Sequence, residues 1–562
     1  MAKKRKRKIW LYVLVAILLL LLVFIVYFKI VTRIAPPTEL HPDELGFERV
    51  KVDEDYYRCE GSWLRKNDFG LWELYIEGKP LELGVMNGLL TSELVKSQED
   101  AFVEQIKVMI PSESYLKFLK YFTAWFNKDL DSYIKQEYLL EIYGVSGFAS
   151  ENYEFIGDKY DRILNYHAAH DIGHALQNLN LVKCTAFGVW DERSSDSSLL
   201  IGRNFDFYVG DAFAVNKILA FVNPEQGYKF ASITWGGMIG VVSGMNEKGL
   251  TVTLNSAKSD IPFGACTPVS IIAREILQYA SNIEEAMAIA SSRKSFVSES
   301  FLIGSAEDHK AVVIEKSTDT TLLYDPGMDH IILTNHFQSD YFKSTPLTIE
   351  NMENETSVYR HERVQELIQA KESFDYTDAA ELLRNRKGKG GKDIGQGNEK
   401  AVNQLIAHHS IIFKPEQKRF WISTHPYQMG SYICYDLDSI FRYASDVEQE
   451  KVIVLNDLKI PSATDYTIND FNLLNIFRYQ VDEFKKLIAE GDSIPDEDAV
   501  IPLFIMTNPE FYYTYDLIGQ YYQGKGDVGN AVKYFKLALS KEVASADERK
   551  NIEERIQECS DE

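Results

Sequence analysis

The spacing of apolar residues changes at Cys184, from the three- and four-residue repeat of helices to the alternation typical of strands. Before this point, residues 97–110 and 115–130 repeat apolar side chains at helical spacing. After it, short apolar segments alternate with polar turns, and one helical stretch at 268–292 is inserted among them. Strands, then helices, then strands again predict a layered α+β domain of the αββα kind.

The start of the chain has the pattern of a membrane anchor. Six consecutive basic residues, 3–8, precede twenty uncharged and mostly aliphatic or aromatic residues, 9–28. Such a run makes about 30 Å of helix, which matches the hydrocarbon core of a bilayer. No small-x-small cleavage motif follows before Pro36-Pro37, so we predict an uncleaved signal-anchor rather than a cleaved signal peptide. The basic residues place the N-terminus in the cytoplasm and everything after about residue 35 outside the cell membrane, in the periplasm or the extracellular space.

Composition excludes several classes of protein. The net charge of −23 argues against nucleic-acid binding, because phosphate contacts need a basic surface. The five cysteines are scattered without a CxxC pair, which excludes a zinc ribbon and gives no disulfide framework. We therefore expect no metal and no cofactor.

Histidines occur in two groups. His170 and His174 lie four residues apart, a spacing that can ligate zinc, but the glutamate of an HExxH motif is missing. We prefer a helix just before Cys184 on which these two histidines, together with His167, are hydrogen-bonded or assist processing of the chain. For His408-His409, the default is a core or rim position, with one histidine near the active site as the alternative.

A thiol, an arginine and a carboxylate occur within one predicted hairpin. Cys184 opens the first strand, and Arg203 and Asp206 end the second. A thiol attacks a carbonyl only as thiolate, so it needs a nearby base or cation. If the bond between Lys183 and Cys184 is cut, the freed α-amine, with a pKa of about 8, can be that base. Asp206 could then hold the ammonium group and Arg203 favour the thiolate, but a buried cysteine beside an ordinary ion pair fits the same residues.

Further motifs make the resemblance to a known family specific. CTAFGVW, GRNFDF, GMNEKGLTVTLNS, ILTNHF and SVYRHER follow one another in the order of the N-terminal-nucleophile (Ntn) hydrolases. The segment 184–437 resembles the choloylglycine hydrolase and penicillin acyltransferase (peptidase C45-like) families, with acid ceramidase a more distant relative. This resemblance implies an αββα four-layer sandwich. It also implies the site residues, namely Cys184 as nucleophile, Arg203 and Asp206 as its partners, Asn255 as an oxyanion donor, and Asn335 and Arg360 as the remaining polar positions.

The chain departs from bile salt hydrolases in one respect. Their cysteine follows the initiator methionine, whereas 183 residues precede Cys184 here. This favours family members that cut themselves internally over a bile-salt substrate. The resemblance implies an amidohydrolase that cleaves a non-peptide C–N bond of a small N-acyl substrate through a thioester. The amide and guanidinium donors of Asn255, Asn335 and Arg360 suit a substrate with a carboxylate or other polar head, so we prefer an N-acyl amino acid or a related small acyl amide. An acyltransferase that passes the acyl group to an amine or to CoA is the first alternative, and a non-enzymatic envelope scaffold is the second.

Residues 511–539 resemble one tetratricopeptide repeat, which buries little surface on its own. We therefore predict a helical appendage packed on the catalytic domain, with a peptide-binding array for a protein partner as the alternative. The glycine-rich segment 387–400 lacks the P-loop motif and is interpreted as a mobile loop bordering the pocket. The predicted segments are a cytoplasmic basic segment (1–8), a transmembrane helix (9–28), a stalk (29–60), a mainly helical pro-region that begins with a short strand pair (61–183), a catalytic domain (184–464) and the appendage (465–562).

Overall fold

The computed structural model describes residues 2–109, 112–168, 183–207, 210–258, 264–295, 297–444 and 453–561. Within these ranges the chain forms two β-sheets flanked by helices. The strands are β1 (Val50–Asp53), β2 (Tyr56–Cys59), β3 (Ser62–Lys66), β4 (Trp72–Gly78), β5 (Thr185–Asp191), β6 (Ser197–Phe205), β7 (Ile218–Pro224), β8 (Phe230–Thr234), β9 (Ser243–Asn246), β10 (Leu250–Ser256), β11 (Glu299–Ser305), β12 (Lys310–Lys316), β13 (Thr321–Tyr324), β14 (His330–Leu333), β15 (His409–Lys414), β16 (Arg419–Ser423) and β17 (Tyr432–Asp436).

The helices lie mainly before β5, after β10 and at the C-terminal end of the chain. They are α1 (Ala2–Val31), α2 (Pro80–Leu90), α3 (Ser92–Met109), α4 (Glu113–Phe126), α5 (Gln136–Ser146), α6 (Lys159–His167), α7 (Asp211–Val215), α8 (Val269–Tyr279), α9 (Ile283–Ser292), α10 (Pro346–Asn354), α11 (Ser357–Gln369), α12 (Tyr376–Leu383), α13 (Leu437–Tyr443), α14 (Ile468–Glu490), α15 (Glu497–Thr507), α16 (Tyr512–Gly524), α17 (Val528–Ser540) and α18 (Ala546–Asp561).

The larger sheet has eleven strands in the order β1-β2-β3-β4-β7-β8-β9-β10-β11-β12-β13, and the smaller has six in the order β14-β5-β6-β15-β16-β17. Apolar side chains from both sheets, such as Phe221 and Met245 of the larger and Ile201 and Ile411 of the smaller, share one buried cluster. Alternating side chains point to opposite faces of a strand, so each sheet also presents an outer apolar face.

Helices cover both outer faces. On the larger sheet, Leu83 of α2, Ile142 of α5 and Ile272 of α8 share a buried cluster with Val252 of β10. On the smaller sheet, α11 and α12 pack on β5, β6 and β16 within a separate cluster. The layers therefore run helix, sheet, sheet, helix, and the prediction of a mixed α+β fold is confirmed.

The segment before Cys184 differs from its prediction. β1 and β2 lie within the predicted stalk, and β3 and β4 are followed by the expected helices. All four strands belong to the larger sheet, where β4 pairs in parallel with β7, Trp72 opposite Ile218. The side chains of residues 72–76 are buried, because the strand lies inside the sandwich. These four strands are thus built into the layers of the fold.

The C-terminal helices α14–α18 form two apolar clusters of their own. In the pair α16–α17, a Cβ atom at Gly519 would lie 2.5 Å from the Phe535 ring, so the glycine permits the close crossing. The predicted helical appendage is present, while its use as a tetratricopeptide-like partner site stays a prediction.

Residues 8–31 of α1 form the only helix in the described ranges that is long and apolar enough to span a membrane. The mean hydropathy of its most apolar 18-residue window is 3.3, and none of that window is buried against the rest of the protein. Length and composition of this kind fit either a membrane anchor or a signal sequence.

Candidate active site

Cys184 lies directly before β5, in a chain that is continuous from Lys183. In the β5–β6 hairpin, Thr185 pairs with Asn204 and Ala186 with Arg203. This register brings Cys184 beside the end of β6, where the backbone N–H of Lys183 donates to the carbonyl oxygen of Asp206 over 3.0 Å. The Cys184 side chain is fully buried.

Arg203 is the cation next to the thiol. Its Nη2 lies 3.5 Å from Sγ of Cys184, and its guanidinium lies 4.2 Å from the centre of the Phe205 ring. Nη1 also donates to the carbonyl oxygen of Val242 and the hydroxyl of Ser243. Burial nevertheless raises the pKa of the Cys184 thiol to about 11, although Arg203 acts in the opposite direction. The thiol of the uncleaved chain is therefore protonated at neutral pH and needs a base.

Asp206 is a carboxyl group close enough to Cys184 for its charge to raise the thiol pKa, and it can act as this base. Both of its carboxylate oxygens are buried and have no hydrogen-bond partner among the residues that the structure describes. Burial raises the pKa of this carboxyl to about 7, against the opposing effects of Arg360 and Arg203. A buried polar group without a partner costs about 1–3 kcal/mol, and more when charged. The two unpartnered oxygens form an acceptor site beside Cys184 that suits a cation.

Arg360, on α11, holds the backbone of the nucleophile residue. Its Nη1 donates to the carbonyl oxygen of Cys184 over 2.5 Å and to Oγ1 of Thr185 over 2.9 Å. Its Nη2 donates to Oδ1 of Asn335 over 2.8 Å. Burial lowers the pKa of Arg360 to about 10, so the guanidinium remains charged at neutral pH. These contacts leave it as a positioning group in the uncleaved chain, not as a free receptor for a substrate carboxylate.

The two asparagines are close by, but their amides are engaged. Asn335 donates from Nδ2 to the carbonyl oxygen and hydroxyl of Ser256, over 3.0 and 2.9 Å. Asn255 donates from Nδ2 to the carbonyl oxygens of Leu333 and Thr334, over 3.3 and 3.1 Å. Asn255 thereby ties β10 to the end of β14 in the uncleaved chain. Its role as an oxyanion donor stays a prediction.

The histidines of the second group lie behind Arg203. His409 Nε2 is 2.8 Å from the hydroxyl of Ser243, and the two Nδ1 atoms of His408 and His409 are 2.9 Å apart. Burial holds the pKa values of both imidazoles well below their usual range. Both histidines are buried in the core, and His409 also lies near Arg203, because the two residues contact the same serine hydroxyl.

His167 has a structural role. Its Nε2 accepts from the backbone N–H of Ile239 over 3.0 Å, and its Nδ1 lies 2.8 Å from the carbonyl oxygen of Ile163. His170 and His174 lie outside the described residues. Within the described ranges, no group of three or more His, Cys, Asp or Glu side chains could hold a metal ion.

One pocket has Phe207, the residue after Asp206, in its wall. The ring of Phe207 stacks on Phe205 with centroids 5.6 Å apart, and Trp235 lies 5.3 Å from His408. The segments on both sides of Cys184 contribute to the pocket wall. It is lined by Gln98, Glu99 and Phe102 of α3, Tyr166 of α6, and Phe207, Phe213 and residues 235–238.

Sequence reasoning named the six polar residues of this site but missed several neighbours. Ser243 and Ser256 bind Arg203 and Asn335, and Gln404 donates to the carbonyl oxygen of Lys183. Nothing local in the sequence marks these positions, because each contact joins residues far apart along the chain.

The chain is similar to several known proteins over part of its length. The family model for acyl-coenzyme A:6-aminopenicillanic acid acyl-transferase matches residues 192–426, which include five of the six candidate residues but not Cys184. An uncharacterized protein from Archaeoglobus fulgidus is 25% identical over 292 residues, or 49% of this chain and 48% of that protein. Protein dcd1B of Dictyostelium discoideum is 22% identical over 267 residues, or 45% and 51%. The chain thus spans about half the length of the curated relatives it matches.

Solved structures with weak similarity were also found. The Caenorhabditis elegans ortholog of N-acylethanolamine-hydrolyzing acid amidase is 18% identical, with a TM-score of 0.30, over 42% of this chain and 93% of that one. Two variants of conjugated bile acid hydrolase from Clostridium perfringens are each 16% identical, with TM-scores of 0.30 and 0.32 over 45% of this chain. They cover 93% and 92% of those chains.

Proposed function

We propose that this chain is an Ntn cysteine hydrolase of the penicillin acyltransferase and choloylglycine hydrolase type, which matures by cutting itself before Cys184. The observation that carries the proposal is the buried Asp206 carboxylate, whose two oxygens lack a partner in the described part of the uncleaved chain. Cleavage creates an α-ammonium group on Cys184, and this group supplies the missing partner. The family match over residues 192–426 supports the same assignment.

Self-cleavage needs a base, and Asp206 fits this role. With a pKa of about 7, its carboxylate is populated at neutral pH and is a stronger base than an ordinary aspartate. Transfer from a thiol of pKa about 11 is uphill, so the proton passes to Asp206 as the sulfur attacks. The sulfur then attacks the carbonyl carbon of Lys183. Water hydrolyses the resulting thioester, which leaves a carboxylate on Lys183 and a free amine on Cys184.

The mature site cleaves an amide through a second thioester. Cys184 attacks the acyl carbon, with its own α-amine as the base and Arg203 favouring the thiolate. The α-ammonium protonates the departing amine, and water resolves the acyl-enzyme. Arg360 keeps the Cys184 backbone in register throughout, since its contact is with a carbonyl that remains after cleavage.

The substrate we propose is a small N-acyl amide with an apolar acyl chain. The pocket that contains Phe207 has aromatic side chains and Met238 in its wall, which suit hydrocarbon, beside the polar Gln98 and Glu99. The N–H groups of Arg360 and Asn335 are already bonded within the protein, so they give no support to recognition of an amino-acid carboxylate. The bound acyl chain, rather than the amine, is the part that this geometry would select.

An acyltransferase is the second candidate, favoured by the description of the matching family. It would use the same thioester with an amine or CoA as acceptor in place of water. Incubating the purified protein with N-acyl amides, with and without an added amine or CoA, distinguishes the two. Hydrolysis releases free acid, whereas transfer gives a new amide or thioester at the expense of free acid.

We also propose that the protein is anchored in the cell membrane through α1, with its N-terminus in the cytoplasm. The aromatic side chains of α4 support this location, because Tyr115, Phe118, Tyr121, Phe122 and Trp125 are 41–61% exposed. Phe28, near the end of α1, stacks on Trp125 with ring centroids 5.9 Å apart. Exposed aromatic rings beside an anchor helix suit the interfacial zone of a bilayer.

A denaturing gel tests the function directly. Purified full-length protein should separate into two fragments that begin at residue 1 and at Cys184, and a panel of N-acyl amides should release amine. A single uncleaved band together with no amine release from any substrate would favour the scaffold alternative.

A further inference from the structure

The loop between α12 and β15 contacts the bond at which the chain is proposed to cut itself. Gln404 donates from Nε2 to the carbonyl oxygen of Lys183 over 2.8 Å, and its side chain is buried. This oxygen receives the negative charge when the Cys184 sulfur attacks the adjacent carbon. The amides of Asn255 and Asn335 donate elsewhere, so neither of them contacts this oxygen in the uncleaved chain.

We propose that Gln404 is the oxyanion donor of the self-cleavage step. The inference rests on the proposed self-cleavage at Cys184. The S–C bond forms as the thiol proton passes to the Asp206 carboxylate, and the side-chain amide of Gln404 stabilises the charge on the Lys183 oxygen. Collapse of this intermediate breaks the C–N bond, and the departing amine of Cys184 takes up the proton. Water then hydrolyses the thioester.

The backbone on both sides of Gln404 is fixed. The N–H of Asn403 donates to the carbonyl oxygen of Asn385 over 2.8 Å. The carbonyl oxygen of Leu405 accepts from Nη2 of Arg478, on α14, over 2.7 Å. A donor held in place before the reaction needs no reorganisation when charge develops, which is what makes such donors effective.

The same loop also binds the Lys183 side chain. Lys183 Nζ contacts the carboxylate of Glu399, and the lysine side chain is 7% exposed. The residue before the cleaved bond is therefore held at two points, its carbonyl oxygen by Gln404 and its ammonium group by Glu399.

The C-terminal helices in turn hold the loop. Asn508 exchanges two hydrogen bonds with the backbone of Gln396, over 3.0 and 2.8 Å. Glu542 binds Lys400 over 2.8 Å, and its carbonyl oxygen accepts from Nδ2 of Asn398 over 2.9 Å. The glycine-rich segment was expected to be a mobile loop, but in the structure these contacts fix it. The C-terminal helices would thus assist maturation by holding the loop that carries Gln404.

The experiment follows cleavage of the full chain after cell-free synthesis into lipid nanodiscs. Gln404→Met removes the donor at similar size, and Gln404→Glu replaces it with a carboxylate. Each should slow the appearance of the two fragments by about 10²–10³-fold, as expected when one oxyanion donor is lost. Gln369→Glu is the matched control, because Gln369 is exposed at the end of α11, where a carboxylate stays in contact with solvent. It should cleave within a few-fold of the wild-type rate.

A pH series separates this role from a structural one. In the Gln404→Glu variant, a protonated carboxyl group can donate to the Lys183 oxygen, whereas the Gln404→Met variant has no donor at any pH. The ratio of the Gln404→Glu cleavage rate to the Gln404→Met cleavage rate should therefore rise as the pH falls from about 8 to about 5, because the carboxyl group becomes protonated. A rate ratio that stays constant with pH would overturn the proposal, as would wild-type cleavage rates in both Gln404 variants.

The Cys184→Ala variant shows whether a failure concerns the role of Gln404 or self-cleavage itself. If it stays uncleaved while both Gln404 variants cleave normally, self-cleavage stands and only Gln404 is excluded.

Discussion

Arg360 donates to the carbonyl oxygen of Cys184 over 2.5 Å, and through its other terminal nitrogen it holds Oδ1 of Asn335 over 2.8 Å. One guanidinium thus joins the residue that carries the nucleophile to the polar residue at the end of β14. Both contacts use atoms that remain in place after cleavage, so the arrangement is available to the uncleaved chain and to the mature enzyme.

Replacing Arg360 by lysine should lower turnover without unfolding the protein. Lysine keeps the positive charge but cannot bind the two acceptors in the same planar geometry. We expect kcat/KM for amide hydrolysis to fall by about 10²-fold, the scale of a small misplacement of a reacting group. Arg363→Lys, on the same helix, is the control, since Arg363 pairs with the half-exposed Glu366. Equal activity in the two variants, with matching melting temperatures, would remove Arg360 from the site.

Asp206→Asn should raise the stability of the uncleaved chain at neutral and higher pH. Burial raises the Asp206 pKa from 3.8 to about 7, so this carboxyl reduces the stability of the uncleaved chain as the pH rises through that interval. The loss is on the order of 4 kcal/mol, at about 1.4 kcal/mol per pKa unit. In a Cys184→Ala background, Asp206→Asn should therefore raise the free energy of unfolding near pH 8 and flatten its pH dependence.

Under the proposed cleavage, the α-ammonium of Cys184 would pair with the Asp206 carboxylate and stabilise its ionised form. We expect mature wild-type protein to lack the loss of stability between about pH 4 and pH 7 that the uncleaved Cys184→Ala chain shows. Denaturant unfolding at several pH values measures both. The same pH dependence in the two proteins would show that the amine does not reach Asp206.

Shortening the pocket wall should change selectivity for the acyl chain. Trp235 contributes to the aromatic pocket, and a longer bound chain buries more apolar surface there at about 0.8 kcal/mol per CH₂ group. Trp235→Ala should reduce kcat/KM for long-chain amides more than for acetyl amides. Tyr479→Ala is the control, at a residue that is 66% exposed on α14. A loss that is equal for all chain lengths would place the acyl group elsewhere.

The sequence predicted the elements that follow Cys184 well, because their signals are local. A polar turn cluster separated two apolar runs that form β5 and β6, and the helical stretch 268–292 forms α8 and α9. β1 to β4 were not placed in the sheet, since β4 pairs with β7, which lies more than a hundred residues later in the sequence. Pairing between strands so far apart in the chain does not change the spacing of apolar residues within either strand.

Contacts between distant residues were also the part of the candidate site that the sequence could not predict. Arg203 and Asp206 were found from one hairpin, and Asn255, Asn335 and Arg360 from the order of motifs. Their hydrogen-bond partners could not be predicted, and these decide which amides are free to donate. Gln404 carried no signal, because only the folded loop brings it to Lys183.

The orientation of the anchor has a simple test. With basic residues 3–8 in the cytoplasm, protease added outside the cytoplasmic membrane should digest everything after α1 and spare a short N-terminal stub. In a Gram-negative cell the experiment uses spheroplasts, and lysed cells are the control for complete digestion. A catalytic domain that is protected until lysis would reverse the proposed orientation.

The central claim is that Cys184 cuts the chain at its own amino side. Intact mass spectrometry of wild-type protein should find two fragments, the second beginning at Cys184, while Cys184→Ala should remain one chain of 64.3 kDa apart from the mass of the substitution. Asp206→Asn, synthesised in parallel, should cleave more slowly than wild type because the thiol has lost its base. Processing of Cys184→Ala at the wild-type rate and position would contradict the account, because an external protease would then make the cut.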